Sequence, residues 1–147
     1  MKKFALDTNL YIQAIREAAA AAELQSFYST FAPVTYLSSV VLHELLVGAT
    51  SAARSREIRK AMAEPFRRTR RVFTPSADAW ETAADAIAAL ARREQRELRS
   101  LPKSLVNDYL LAASCRESGF VLVTHNSADF EEIRRYIKVQ FTAPWPE

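Results

Sequence analysis

Glycine is almost missing from this chain of 147 residues: Gly48 and Gly119 are the only two. That excludes a glycine-rich loop of the kind that cradles phosphates through backbone N–H groups, and it excludes a flexible glycine linker. Cysteine is rarer still. Cys115 stands alone, so no internal disulfide can form, and the chain suits a reducing compartment. No Cys/His cluster has metal-ligand spacing, which argues against zinc. Long apolar runs are absent as well, since a membrane helix needs roughly 18 apolar residues or more. Met1-Lys2-Lys3 looks like the start of a signal peptide, but the apolar stretch behind it stops at Asp7 and no h-region follows. The expectation is a soluble, cytoplasmic protein with no membrane association. By length it is one domain, residues 1–147, and a 49% hydrophobic content lets it build a core without staples.

Acid of one kind is also scarce. There are five Asp, and the basic excess gives a formal charge of +3. The excess is uneven. Arg54, Arg56, Arg59, Lys60, Arg67, Arg68, Arg70 and Arg71 face only Glu57 and Glu64, and a second cluster holds Arg92, Arg93, Arg96, Arg99 and Lys103. Arg outnumbers Lys, and its planar fork suits phosphate. A charge run is ordinarily a solvated helix face. Next to an acidic pocket it points instead to a polyanionic substrate, with Arg67, Arg68, Arg70 and Arg71 as the candidates for contacting its phosphates.

The pattern along the chain alternates strand and helix. Phe4 to Asp7 and Val34 to Leu37 are short apolar strands, with Leu10 to Phe31 helical between them. Ser38 or Ser39 caps a helix that carries Glu44 and stops at Gly48. Arg54 to Phe66 is a basic helix, and Arg71 to Phe73 a third strand. Asp78 and Glu81 form a capping-box pattern ahead of Trp80, Ala83, Ala84, Ile87, Leu90 and Ala91 at helical spacing. Ser104 caps a helix to about Ser118, ended by Gly119. Phe120 to Thr124 is a buried strand, Phe130 to Tyr136 a short helix and Val139 to Phe141 a last strand. The alternation predicts a parallel α/β sheet covered on both faces.

Within this pattern the carboxylates stand out. Asp7 ends the first apolar run, Glu44 interrupts Val40-Val41-Leu42-His43-Glu44-Leu45-Leu46-Val47, Asp108 interrupts Leu105-Val106-Asn107-Asp108-Tyr109-Leu110-Leu111, and Asp129 follows the Phe120 strand. No Lys or Arg adjoins Asp7, Glu44 or Asp108, and a carboxylate beside apolar surface is costly without a positive partner. Taken singly, each has an ordinary reading as a helix cap, a snorkelling side chain or a first-turn charge. Taken together, at the carboxyl ends of strands and on inward helix faces, they predict one pocket. Oxygen donors without Cys or His indicate Mg²⁺ or Mn²⁺, which can polarise a phosphodiester and activate water.

Leu6-Asp7-Thr8-Asn9, the segment from Ser38 to Gly48, Asn107-Asp108 before a Leu/Ala-rich helix, and Val123-Thr124-His125-Asn126-Ser127-Ala128-Asp129-Phe130 occur in that order. In this the chain resembles the PIN-domain ribonucleases, specifically VapC-type toxins of type II toxin–antitoxin systems. The resemblance implies a PIN-like three-layer α/β/α sandwich with a central, mainly parallel sheet. It implies a metal-dependent endoribonuclease acting on RNA, including tRNA or other structured RNA. Its catalytic and metal-binding acids would be Asp7, Glu44, Asp108 and Asp129, with Thr8, Asn9, Thr124 and Asn126 as auxiliary groups. Some relatives carry the fourth acid at the place of Asn126; here Asp129 takes that role. A cognate antitoxin and a homodimeric state are also implied.

Two other functions compete. A phosphatase of the haloacid-dehalogenase type also starts from an Asp after the first strand, but it needs a second Asp where Asn9 stands. A non-catalytic module could keep the PIN fold and bind RNA or a partner.

Overall fold

Apolar runs of only four residues dictate short strands, and the computed structural model, which describes residues 1–147, has them. β1 (Lys3–Leu6), β2 (Thr35–Ser38), β3 (Val72–Phe73), β4 (Phe120–Val123) and β5 (Gln140–Thr142) form one sheet in the order β3-β2-β1-β4-β5. Every pairing is parallel. The central strands β1 and β4 are almost wholly apolar, and Ala5, Leu6, Leu122 and Val123 have at most 1% exposure. That is the signature of strands covered on both faces.

Helices flank the sheet: α1 (Thr8–Arg16), α2 (Ala18–Phe31), α3 (Ser39–Val47), α4 (Ala52–Ile58), α5 (Glu64–Arg68), α6 (Ala77–Glu94), α7 (Lys103–Ser118) and α8 (Ser127–Arg134). Buried side chains from Phe4 to Val139 make a single cluster, with α6 packed on α7 and α1 packed on α2 and α3. The three-layer α/β expectation holds.

Several local expectations do not. The helix expected over Leu10 to Phe31 is two helices, because Glu17 is extended (φ −130°, ψ 126°). No helix breaker marks the spot. The bend instead lets Leu10 and Tyr11 of α1 and Leu24 and Phe27 of α2 each reach the core. The basic helix expected over Arg54 to Phe66 is interrupted by a π-helical stretch at Arg59–Ala63. Pro65, in the first turn of α5, has no N–H to offer the ordinary ladder, and the widened turn precedes it. Ser76, not Asp78, caps α6, its Oγ accepting from the Ala79 N–H at 3.1 Å. α7 begins one residue before Ser104, behind Pro102. Gly119 closes α7 with φ 73°, the left-handed conformation that glycine adopts freely. α8 starts three residues ahead of Phe130.

Candidate active site

The chain runs from β1 outward to β2 and β3 on one side of the sheet, then returns to β4 and β5 on the other. Between β1 and β4 the winding reverses, and there an open α/β sheet leaves a crevice at its carboxyl end. Parallel register sets Leu6 beside Val123, so the next residues, Asp7 and Thr124, leave the sheet together. The Asp7 N–H donates to the Val123 carbonyl at 3.0 Å, extending the ladder by one step.

Asp7 is buried, with 3% exposure. Its Oδ1 accepts from the Thr8 N–H at 2.8 Å, which caps α1, and its Oδ2 accepts from the Thr124 hydroxyl at 2.7 Å. Burial pushes its pKa above the usual carboxylate range. The two hydrogen bonds oppose that push, and the charges of Glu44 and Asp129 add to it. Glu44 is half-buried on α3, where its Oε1 accepts from the Thr8 hydroxyl at 2.7 Å. Thr8 thus joins two acids, through its N–H to Asp7 and its hydroxyl to Glu44. Thr124 joins Asp7 to the next turn, since its Oγ1 also accepts from the Asn126 N–H at 2.9 Å.

Asp108 is half-buried on α7. Burial, and then the charges of Asp7, Glu44 and Asp129, push its pKa up to about 8. Asp129 is exposed in the first turn of α8 and shares with Asp108 a cleft of about 280 Å³. The four acids therefore occupy one electrostatic neighbourhood. None takes part in any of the six ion pairs of the chain. No three Asp, Glu, His or Cys side chains stand close enough to enclose an ion, so the neighbourhood is not a closed cage.

The other candidates sort by position. Asn9 is exposed, and Asn126 precedes α8 without capping it through its side chain. Arg67, Arg68 and Arg70 are exposed, but they lie just before β3, at the amino end of the sheet. All strands being parallel, that is the end opposite Asp7. Arg71 has a different role from the one expected of it in RNA binding. Its Nη1 donates to the carbonyls of Ala32 and Thr35, its Nε donates to the Thr69 hydroxyl at 2.9 Å, and its guanidinium lies over the Phe66 ring at 4.9 Å. Cys115 is fully buried and its thiol is pushed far up by burial, so it is no nucleophile.

Two arginines that the sequence reading did not connect with the acids stand near Glu44. Arg16, at the end of α1, and Arg54, in the first turn of α4, line a cleft with Glu44. Only the packing of α1, α3 and α4 brings them together; no spacing signals it.

The chain that carries this strand-end Asp and these hydroxyl-held acids also matches a known family model. The PIN domain model matches residues 4–136. The chain belongs to the PIN-domain family. PIN domains are generally nucleases. Among solved structures, this PIN domain is similar to DNA-bound VapBC from Salmonella typhimurium, with 26% identity and a TM-score of 0.69 over 97% of this chain and 98% of that one. It is similar to FitAcB from Neisseria gonorrhoeae, with 18% identity and a TM-score of 0.67 over 98% and 99%. It is also similar to a toxin–antitoxin complex from Klebsiella pneumoniae, with 18% identity and a TM-score of 0.59 over 99% and 100%. Among curated proteins, nothing matches the chain. No helix of this PIN domain is long and apolar enough to cross a membrane.

Proposed function

We propose that this chain is a single-domain, cytoplasmic, metal-dependent endoribonuclease toxin that cleaves RNA and is neutralised by a cognate antitoxin. The observation that carries the reading is that Asp7, Glu44 and Asp108 share one electrostatic neighbourhood and none of them is in an ion pair. Burial, and then repulsion within the set, pushes the pKa of Asp108 up to about 8.

The donor chemistry fits a hard divalent cation: oxygen ligands only, none of them held in an ion pair. Asp7 and Asp108 would hold Mg²⁺ or Mn²⁺, with Glu44 and Asp129 completing the set. When bound, the ion supplies Lewis-acid polarisation of a phosphodiester and activation of water. The chain's own contribution is orientation. Thr124 and the Thr8 N–H fix both oxygens of Asp7, and the Thr8 hydroxyl turns Glu44 toward the same crevice. Asp108 would have to be ionised to hold the cation, so ion binding would be favoured by rising pH. The toxin–antitoxin complexes with the same fold support an antitoxin partner.

Asp108→Asn tests the reading. The variant keeps its fold by circular dichroism, loses Mg²⁺-dependent cleavage of RNA, and loses heat of Mn²⁺ binding in calorimetry. Undiminished cleavage would refute the proposal. One observation favours a non-catalytic PIN module, namely that no three acids stand in ligating reach. Tight RNA binding by the parent chain, with neither cleavage nor Mn²⁺ binding, would select that module.

A further inference from the structure

Two clefts flank the carboxylates, and their cations differ in availability. The cleft shared by Asp108 and Asp129 also holds Glu94 and Glu132. The nearby arginines are already engaged there: Arg93 pairs with Glu132 at 2.6 Å and Arg96 with Glu94 at 3.5 Å. The cleft shared with Glu44 has a volume of about 270 Å³ and an opposite character. Arg16 and Arg54 line it, both exposed, over an apolar floor of Ile12, Ile15 and the buried Ile58. Arg16 has no acidic partner anywhere in the chain. Arg54 has only Glu57, one turn along its own helix at 3.1 Å, an exposed pair of the kind that holds weakly.

We infer that the Arg16–Arg54 cleft is the phosphate-binding subsite of this nuclease, seating the backbone of a single-stranded RNA so that the next phosphodiester lies over Glu44 and Asp7. The inference rests on the nuclease reading above for its substrate class. A guanidinium fork matches a phosphate, and the apolar floor suits the ribose or base between successive phosphates. The strand enters from this side because two arginines line this cleft, whereas no basic residue lines the cleft of Asp108 and Asp129. The exposed arginines before β3 are not part of this subsite, because they lie at the other end of the sheet.

The experiment uses the Asp108→Asn protein, which leaves the substrate intact, and a fluorescein-labelled single-stranded RNA oligonucleotide read by anisotropy over a salt series. Adding Arg16→Gln and Arg54→Gln weakens binding about tenfold near physiological salt and reduces the slope of log K against log salt by about 1 to 1.5. Adding Arg67→Gln, Arg68→Gln and Arg70→Gln instead changes the affinity less than threefold. Thermal melting of both sets stays at the parent value, since all five side chains are exposed. An unchanged affinity and slope in the first set would overturn the inference, as would a larger loss in the second. Absence of RNA binding by the Asp108→Asn protein at low salt overturns it too. Binding that depends on Arg16 and Arg54 in a chain whose parent cleaves nothing upholds the subsite and overturns the nuclease reading, so the two failures are distinguishable.

Discussion

At the amino end of the sheet, Arg71 gives its guanidinium to the carbonyls of Ala32 and Thr35 and lays its plane over Phe66. At the carboxyl end, Asp7, Glu44 and Asp108 form no ion pair, and two threonines and one backbone N–H hold Asp7 and Glu44. One end saturates its charge inside the chain; the other leaves it open. A saturated charge ties the fold together, whereas an open one is a place for something from outside. The same contrast separates the two families of arginine. Arg71 stands in a run of basic residues and is structural, and Arg16 stands alone and is free.

The contrast breaks most visibly at Arg71. Arg71→Ala strands two carbonyls and removes the stack on Phe66, so it lowers stability by about 2–4 kcal/mol in urea unfolding. Below its melting point the variant still cleaves RNA at the parent rate. A large loss of activity in the folded variant would place Arg71 with the open charges and dissolve the distinction.

Thr124→Val has a smaller effect and acts at the other end. The side chain is fully buried and similar in shape, but the change removes the donor to Asp7 and the acceptor for the Asn126 N–H. A cost of about 1–2 kcal/mol follows. Asp7 also loses a bond that holds its pKa down, so Mn²⁺ binding requires higher pH than in the parent. Calorimetric titrations at a series of pH values read both. Stability loss with an unmoved pH profile would mean that Thr124 supports the backbone alone.

The smallest effect sharpens the account of Asp108. In the metal-free protein Asp108 keeps its proton to about pH 8, whereas in the unfolded chain it titrates near the ordinary carboxylate range. Between those limits the native state binds more protons than the unfolded one. Its stability is therefore greatest at the acid end and falls as pH rises toward 8. Asp108→Asn removes this slope. At pH 8 the variant is more stable than the parent by about 1 kcal/mol, a rise in Tm of roughly 2–4 °C. Scanning calorimetry in the presence of a chelator checks it. Equal pH slopes in parent and variant would show that Asp108 is ionised throughout.

What was legible in the sequence follows the same division. Apolar runs such as Phe4-Ala5-Leu6 and Phe120-Val121-Leu122-Val123 announce buried parallel strands, because both faces of such strands must be apolar. Asp7 and Thr124 are visible as the first polar residues after them, and Gly119 as a helix end. Glu44 and Asp108 are visible because they interrupt apolar helices. The break at Glu17 left no such mark: it arises where α1 and α2 reach the core in different directions, and neighbouring residues do not encode that. The Asp78–Glu81 pattern misled because Ser76, two residues earlier, offers the same capping chemistry and also bonds to Glu117 across the fold. Arg71 misled because charge alone does not distinguish a guanidinium turned to solvent from one turned to carbonyls. Arg16 was overlooked, and Arg54 was counted only within the basic run, since their shared cleft exists only once three helices have packed.

The threonine hydroxyls that hold Asp7 and Glu44 have a consequence of their own. A hydroxyl can rotate about its Cβ–Oγ bond and yield its carboxylate, whereas an internal guanidinium would have to be displaced as a charge. The acids are thus on loan to Thr8 and Thr124, and any visiting cation of suitable size can claim them. A basic side chain inserted by another protein would occupy the same oxygens as an ion, and the two visitors would exclude each other.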